Sequence, residues 1–207
     1  MAPTSSPIAI DLCCGLGGWT AGLLAEGYRV IGFDIARPKT FPAGALFVQQ
    51  DVTTIDGARW RGLVSLVVAS PPCTEFSQVW RYSKTRVPEP ARGMVLVREC
   101  FRIARESGAP FVLENVQGAR PFFEPEFGPP TWKAGSFYFW GAVPVLRPHG
   151  RFVKGVWNTN PHINRRGDVI AKRRGIAYVR GSAERARIPL EIARAVAAQA
   201  REGALWM

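Results

Sequence analysis

The sequence lacks long hydrophobic runs, and no apolar stretch approaches the roughly 20 residues that a membrane-spanning helix needs. Residues 1–7 show no basic segment followed by an apolar one, so we expect no secretory signal and a cytoplasmic location. The four cysteines have no paired C-x-x-C spacing and no nearby histidines, which argues against a disulfide framework and against a metal site. We therefore expect an intracellular chain that needs no metal.

Acidic residues are scarce in one late segment. Residues 147–187 carry 11 Lys and Arg against 2 acidic residues, whereas residues 1–146 carry 14 against 12. This concentration of positive charge indicates a polyanionic partner that the late segment binds. A solvated basic surface without a partner is the alternative. The length of 207 residues fits one domain with a sizeable core, and we find no internal repeat.

Short apolar runs alternate with helical segments along the chain. The predicted strands lie at residues 8–12, 28–33, 46–48, 64–69, 111–113 and 135–140, and the predicted helices at residues 19–26, around 94–104 and from Pro189 onward. Residues 74–92 show no clear period and are predicted to form a mobile polar loop. The alternation predicts an α/β fold with a doubly wound sheet.

A glycine-rich loop, Cys13-Cys14-Gly15-Leu16-Gly17-Gly18, joins the first strand to the first helix. Glycines at such a turn let a ligand approach the backbone closely. Asp34 follows Gly15 by 19 residues, about the spacing at which an acid after the second strand binds a ribose. The loop is neither a Walker A loop nor a complete G-x-G-x-x-G fingerprint. A cofactor with ribose and base but no pyrophosphate fits best, and S-adenosylmethionine is the commonest one.

Asp51 follows the third predicted strand and has two interpretations. Its carboxylate is placed to accept a hydrogen bond from an adenine amino group at the carboxyl edge of the sheet. It is equally placed to cap the N-terminus of the helical segment that follows.

The fourth predicted strand ends at Ser70-Pro71-Pro72-Cys73. Two prolines fix two φ angles, so the cysteine is held at a defined angle where ligands bind in open α/β sheets. Cys73 is therefore a candidate nucleophile, and the alternative is a small buried apolar residue. The fifth strand runs into Glu114, which places a second ionisable group beside the Cys73 strand if the winding is regular.

Together these segments resemble the DNA (cytosine-5)-methyltransferase family in a compact form. The loop from Asp11 to Gly18 resembles the cofactor motif, which usually has Phe where Cys13 stands. Ser70-Pro71-Pro72-Cys73 with Phe76-Ser77 resembles the catalytic Pro-Cys motif, and Glu114-Asn115-Val116 matches a Glu-Asn-Val motif. The resemblance covers about residues 8–118, with Phe139-Trp140-Gly141 and the last helix as weaker matches.

The resemblance implies a Rossmann-like S-adenosylmethionine-dependent methyltransferase fold with a small basic insertion. Residues 1–145 would form the catalytic and cofactor-binding domain. Residues 146–182 would form a short basic target-recognition region, and residues 183–207 a helix that returns to the catalytic domain. The implied protein is a monomer of the restriction-modification type that binds double-stranded DNA.

The implied reaction transfers a methyl group from S-adenosylmethionine to C5 of a flipped cytosine through a covalent cysteine adduct. Cys73 would supply a thiolate to C6, a role that needs a lowered thiol pKa. Glu114, protonated in a desolvated site, would donate to N3 of the base. Enzymes that methylate exocyclic amines carry an aromatic residue where Cys73 stands, so C5 chemistry is favoured.

The resemblance assigns three sets of residues. The catalytic set is Cys73, Glu114 and Asn115. The cofactor-binding set is Asp11, Cys13, Gly15, Leu16, Gly17, Gly18, Trp19, Asp34, Ile35, Asp51, Val52 and Pro71. The nucleic-acid-binding set is Ser77, Arg81, Lys84, Arg165, Arg166, Lys172, Arg173 and Arg174.

The sequence departs from the family pattern in three places. Gly135-Ser136-Phe137 stands where the family has an Arg-x-Arg pair, and Ala186-Arg187-Ile188-Pro189 replaces the Gly-Asn before the last helix. The target-recognition region is short, so we expect short or relaxed sequence specificity. Two alternatives stay open: an RNA (tRNA) cytosine-5 methyltransferase, and a catalytically silent nucleic-acid-binding relative.

Overall fold

The computed structural model describes residues 6–77, 87–142 and 187–202. Within them, seven strands form a single sheet: β1 (Ile8–Leu12), β2 (Arg29–Asp34), β3 (Leu46–Gln49), β4 (Leu66–Ala69), β5 (Phe111–Val116), β6 (Trp132–Ala134) and β7 (Phe137–Gly141). The helices are α1 (Gly18–Ala25), α2 (Pro90–Ser107), α3 (Arg120–Phe127) and α4 (Leu190–Arg201). Short 3₁₀ helices follow β3, β4 and β5.

The strand order is β3-β2-β1-β4-β5-β7-β6. The first five strands of this order are parallel, and β7 is antiparallel to both β5 and β6. The chain reverses its direction of winding between β1 and β4, and ligands of open α/β sheets bind at such a switch point. The doubly wound, Rossmann-like α/β fold predicted from the alternation is thus confirmed.

Hydrophobic cores cover both faces of the sheet. On one face, α2 and α3 pack against β1, β4 and β5, with Val97 and Phe123 fully buried. On the other face, α1 and α4 pack against the alternate residues of the same strands, with Leu23 and Ile192 fully buried. Strands buried on both sides explain why their sequences read as continuous apolar runs.

The structure contains two elements that the sequence patterns did not predict. Strand β6 has only three residues and pairs with β7 through a hairpin in which Gly135 has a φ of 61°. Helix α3 contains Pro125 and has only eight residues, too few for a clear apolar period in the sequence. The predicted loop at residues 74–92 was too long, because residues 90–92 form the first turn of α2. In that turn Pro90 occupies a position where no backbone donor is needed.

The close packing of α1 on α4 leads to a stability prediction. A Cβ atom at Gly22 would lie 2.3 Å from the Cβ atom of Ala193. Gly22→Ala normally stabilises a helix interior, but here it must push two helices apart. We expect it to lower the free energy of unfolding by about 2 kcal/mol. Urea denaturation measures this, with Ala25→Ser on the exposed side of α1 as the control; a stabilised Gly22→Ala variant contradicts it.

The predicted basic region at residues 146–182 lies outside the described residues. Across residues 6–77, 87–142 and 187–202, no helix is long and apolar enough to cross a membrane.

Candidate active site

The carboxyl ends of three adjacent strands bring the candidate residues together. Strand β1 leads into the glycine loop, β4 leads into Ser70-Pro71-Pro72-Cys73, and β5 ends with Glu114-Asn115-Val116. The register places Leu12 opposite Ala69 and Ala69 opposite Leu113, so β1 and β4 end at the same level. Strand β5 continues beyond that level through Glu114-Asn115-Val116, which pair with β7. The predicted proximity of Glu114 to the Cys73 strand is confirmed.

The proline corner after β4 is fixed to both neighbouring strands. The backbone N–H of Ser70 donates to the carbonyl of Leu12 at 3.2 Å. The amide nitrogen of Asn115 donates to the carbonyl of Pro71 at 3.0 Å, within the buried interior. Cys73 then begins a 3₁₀ helix, and its carbonyl accepts from the backbone N–H of Ser77 at 2.9 Å. The thiol therefore sits on a turn whose backbone is held on two sides.

Glu114 is a buried carboxyl, with 7% of its surface exposed. Burial raises its pKa from 4.5 to about 8, and a hydrogen bond with the Ser70 side chain opposes part of that rise. At neutral pH most Glu114 side chains are therefore protonated and can donate a hydrogen bond. This is the protonation state that the resemblance requires of the general acid.

The pKa of the Cys73 thiol is raised, whereas the sequence analysis expected a lowered value. Burial, and next the charge of Glu114, raise the pKa of this half-buried thiol to about 11. A backbone hydrogen bond lowers it only in part. The sequence expectation was wrong for the DNA-free protein, because a low thiol pKa needs a stabilising positive charge and the dominant contributions here disfavour the thiolate. All four cysteines are free thiols.

The raised pKa of Cys73 predicts slow alkylation at neutral pH. Below a pKa of about 11, the thiolate fraction rises roughly tenfold for each pH unit, so iodoacetamide labelling of Cys73 should accelerate steadily from pH 7 to pH 10. Glu114→Gln removes a negative charge that is present above about pH 8, so labelling above that pH should be faster in this variant. Peptide mapping by mass spectrometry measures both rates.

A surface carboxylate provides the control for the labelling experiment. Glu126 pairs with Arg98 on α2, and Glu126→Gln should leave Cys73 labelling unchanged. Rapid labelling of Cys73 at pH 7, at the rate of an ordinary exposed thiol, contradicts the prediction.

The glycine loop after β1 takes a backbone shape that favours glycine. Gly15 and Gly17 have φ angles of 50° and 74°, and Cys13 adopts the same left-handed region at 54°. The backbone N–H of Gly15 donates to a carboxylate oxygen of Asp34 at 2.9 Å. Asp34, at the end of β2, therefore lies beside the loop, as the spacing of 19 residues predicted. A Cβ atom at Gly18 would lie 2.6 Å from the backbone nitrogen of Ile188.

Asp11 is fully buried at the end of β1. Its Oδ2 atom accepts from the backbone N–H of Thr20 at 3.1 Å and from the Thr20 hydroxyl at 2.7 Å. Its Oδ1 atom is buried and finds no hydrogen-bond partner among the described residues. Burial raises the pKa of Asp11 to about 7. The N-terminal turn of α1 thus lies over a carboxyl with one unused oxygen.

Asp51 is the N-cap of the 3₁₀ helix Val52–Thr54. Its Oδ1 atom accepts from the backbone N–H and from the hydroxyl of Thr53, both at 2.9 Å. Of its two interpretations, the structure shows the cap, and the cap uses one carboxylate oxygen only. Val52 lies in the core with 5% of its surface exposed, whereas Ile35 after β2 is 66% exposed.

Trp19 is buried in the protein, and Leu16 is half-buried with its backbone carbonyl bonded to another residue. The Trp19 ring is 2% exposed and packs edge-on against Phe139. The carbonyl of Leu16 accepts from the Arg187 guanidinium at 3.3 Å. Sequence reasoning assigned no role to Arg187 or to the Ser70 side chain. The position of Arg187, where the family pattern has Gly-Asn, was the available signal.

A groove of about 830 Å³ adjoins the strand ends. Its walls include Phe76 and Ser77 after the Cys73 turn, and Arg120 and Phe122 of α3. Ser77 is the one member of the predicted nucleic-acid-binding set in the described part of the chain. The other members lie outside the described residues: Arg81, Lys84, Arg165, Arg166, Lys172, Arg173 and Arg174.

The fold and this edge of the sheet define a Rossmann-like methyltransferase domain. A family profile described as C-5 cytosine-specific DNA methylase matches residues 8–122, which is more than half of the chain. The chain belongs to the C-5 cytosine-specific DNA methylase family. The profile covers all the strand ends described above.

The individual relatives share 30% sequence identity or less with this chain over the matched regions. The type II methylase M.HgiDII of Herpetosiphon aurantiacus is 30% identical over 124 residues, which are 55% of this chain and 34% of that protein. A DNA modification methyltransferase encoded within a prophage of E. coli is 20% identical, with a TM-score of 0.43 over 66% of this chain and 46% of that one. The DNMT2 structure of Spodoptera frugiperda is 15% identical, with a TM-score of 0.39 over 66% and 49%. The chain spans about a third of the length of the curated relative.

Proposed function

We propose that this chain is a DNA (cytosine-5)-methyltransferase that uses S-adenosylmethionine and attacks the target base through Cys73. The observation that carries the proposal is the position of Cys73 and Glu114 on neighbouring strand ends, with Glu114 protonated at neutral pH. The family supports methylation of DNA. The adduct, the flipped base and the roles of single residues are our own inference.

The proposed chemistry starts from the weak nucleophilicity of cytosine C5. The Cys73 thiol gives its proton to solvent as its sulfur bonds to C6, and the electron pair of the C5–C6 double bond moves toward C5 and N3. Glu114 donates its proton to N3 and so neutralises the charge that this addition creates. Once C5 carries the methyl group, the C5 proton leaves to solvent and the Cys73 thiolate is eliminated from C6. Return of the N3 proton to Glu114 and protonation of the thiolate then restore the aromatic base and the free enzyme.

Because the pKa of Cys73 is raised, binding of the target base has a second role, which is to promote loss of the thiol proton. The thiol is mostly neutral in the DNA-free protein, so it reacts only slowly with solvent oxidants or electrophiles at neutral pH. We infer that proton transfer from Cys73 occurs when the base is seated, with Glu114 as the donor on the other side of the ring. Buried Asn115 contributes by holding Pro71 and thus the Cys73 turn.

The residues around the glycine loop fit S-adenosylmethionine. The open space beyond Gly15, the exposed apolar side chain of Ile35 and the Asp34 carboxylate suit an adenosine moiety, and the unused Oδ1 atom of Asp11 is an acceptor near the start of α1. When bound, the cofactor supplies an electrophilic methyl group. The chain's own contribution is to hold this group on the same edge of the sheet as Cys73.

Methyl transfer from radiolabelled S-adenosylmethionine tests the proposal. We expect label in unmethylated plasmid DNA, none above background with Cys73→Ala, and little in bulk tRNA. Duplexes that contain 5-fluorocytosine should form a complex with the protein that survives denaturation, because fluorine at C5 blocks the final elimination.

Two controls separate chemistry from folding in that experiment. Cys100 is a fully buried thiol on α2, and Cys100→Ala should retain methyl transfer and adduct formation. Label in tRNA but not in DNA would move the function to the RNA alternative. Absence of label in both, with a folded wild-type protein, would favour the catalytically silent relative.

A further inference from the structure

Ser70 connects the catalytic strand ends to the helix that follows the cofactor loop. The indole Nε1 atom of Trp19, in the first turn of α1, donates to the Ser70 hydroxyl oxygen at 3.0 Å. Ser70 follows Ala69, which pairs with Leu113, so its hydroxyl lies beside the Glu114 carboxyl on the neighbouring strand and lowers the pKa of that carboxyl by hydrogen bonding to it. The three side chains therefore form one continuous chain of hydrogen bonds across three elements that are far apart in sequence.

The donor pattern fixes the direction of this chain. An indole N–H only donates, so the Ser70 oxygen is the acceptor toward Trp19. Its own proton is then free to point at Glu114, which accepts it whenever the carboxyl is ionised. Trp19 has little freedom to move, because its ring is buried and packs against Phe139. Phe139 also lies opposite Glu114 in the β5–β7 register, so the same ring borders both ends of the chain.

We propose that Ser70, held by Trp19, is a positioning residue that orients the Glu114 carboxyl toward the target base. This inference rests on the proposed function, since it assigns Glu114 an orientation that only base chemistry requires. The hydroxyl also ties the acid to α1, whose first turn borders the cofactor loop. Ser70 thus aligns the proton donor with the cofactor side of the site.

Few other titratable groups bear on Glu114. On the β4 side the facing titratable group is Cys73, whose thiol senses the Glu114 charge. Helix α1 and strand β7 present Trp19 and Phe139, and neither element contains a charged residue. Helix α4, on the same face, carries Glu191, Arg194 and Arg201, and Arg194 pairs with Glu26. Removal of the Ser70 hydroxyl takes one donor from Glu114 and one acceptor from Trp19, and the variant Trp19→Phe separates the two effects.

The test measures the Glu114 pKa directly and methyl transfer separately. ¹³C NMR titration of glutamate-labelled protein, assigned with Glu114→Gln, needs no DNA. We expect a pKa near 8 in wild type, a higher value in Ser70→Ala and a wild-type value in Ser70→Thr, which keeps the hydroxyl. In methyl transfer, Ser70→Ala should lower kcat about tenfold with KM values unchanged, and Ser70→Thr should restore it.

Two further variants serve as comparisons for Ser70→Ala. Trp19→Phe keeps the ring but loses the N–H, and should lower kcat less than Ser70→Ala does. Ser107→Ala removes a buried hydroxyl bonded to the Ala104 carbonyl and should change neither readout. Unchanged pKa and kcat in Ser70→Ala, or equal losses in Ser70→Thr, overturn the inference. If the Glu114 pKa shifts in Ser70→Ala but the protein methylates no DNA, the contact between Ser70 and Glu114 is supported and the proposed function is contradicted.

Discussion

Glu114→Gln is expected to slow methyl transfer to DNA by about 100-fold or more, because the glutamine amide can donate a hydrogen bond to N3 but cannot transfer a proton to it. In wild type the rate should rise with pH as more Cys73 ionises and should level off above about pH 8, where Glu114 loses its proton. The residual rate of the variant should keep rising through pH 8, since its amide does not titrate. Single-turnover methyl transfer between pH 6 and pH 9.5 measures both effects.

Stability provides an independent check on the same carboxyl. A buried acid whose pKa is raised from 4.5 to about 8 favours folding fully below pH 4.5, and this contribution is lost as the pH rises toward 8. The free energy of unfolding of wild type, relative to Glu114→Gln, should therefore decrease across this window. Urea unfolding at pH 5, 7 and 8.5 tests this. A pH-independent difference would show that Glu114 titrates normally and would remove the basis for its role as an acid.

Gly17→Ala is expected to lower the free energy of unfolding by about 3 kcal/mol and to abolish measurable cofactor binding. Gly17 has a φ of 74°, which costs an alanine roughly 1–2 kcal/mol. A Cβ atom there would also lie 2.5 Å from the Cδ atom of Pro42, so overpacking adds a cost of similar size. The loop has to shift, and the backbone N–H of Gly15 then moves away from Asp34.

Gly15→Ala is the matched comparison within the same loop. Its φ is 50°, but a Cβ atom at Gly15 meets nothing within 4 Å. We expect this variant to lose only about 1 kcal/mol of stability, while its methyl group enters the space assigned to the cofactor. Urea unfolding and calorimetric titration with S-adenosylhomocysteine measure the two quantities. Equal stability losses at both positions would contradict the steric part of the argument.

Most of the fold was predictable because parallel strands buried on both faces are continuous apolar runs with clear boundaries. Six of the seven strands and three of the four helices of the described chain were predicted in this way. The misses were local. Strand β6 is held by its hairpin partner rather than by its own pattern, and α3 packs Phe123 into the core despite two prolines that weaken its helical signal.

The sequence by itself determined the order of the chemical groups: a glycine loop with Asp34, a cysteine after two prolines, and a glutamate on the next strand. Strand-end motifs are local, so their residue types and spacing suffice to indicate them. Only the tertiary structure decided how those groups behave. Burial in the folded chain raises the pKa of Cys73 to about 11 and that of Glu114 to about 8, and one oxygen of Asp51 is used as a cap.

The physical reason for this division is that protonation depends on burial and on partners distant in sequence. Trp19 and Ser70 are 51 residues apart, and Pro71 and Asn115 are 44 apart, yet each pair is hydrogen-bonded. Desolvation of Glu114 likewise arises from packing between the sheet and α1. A local pattern names the acid and the thiol, and the folded chain sets the pKa of each.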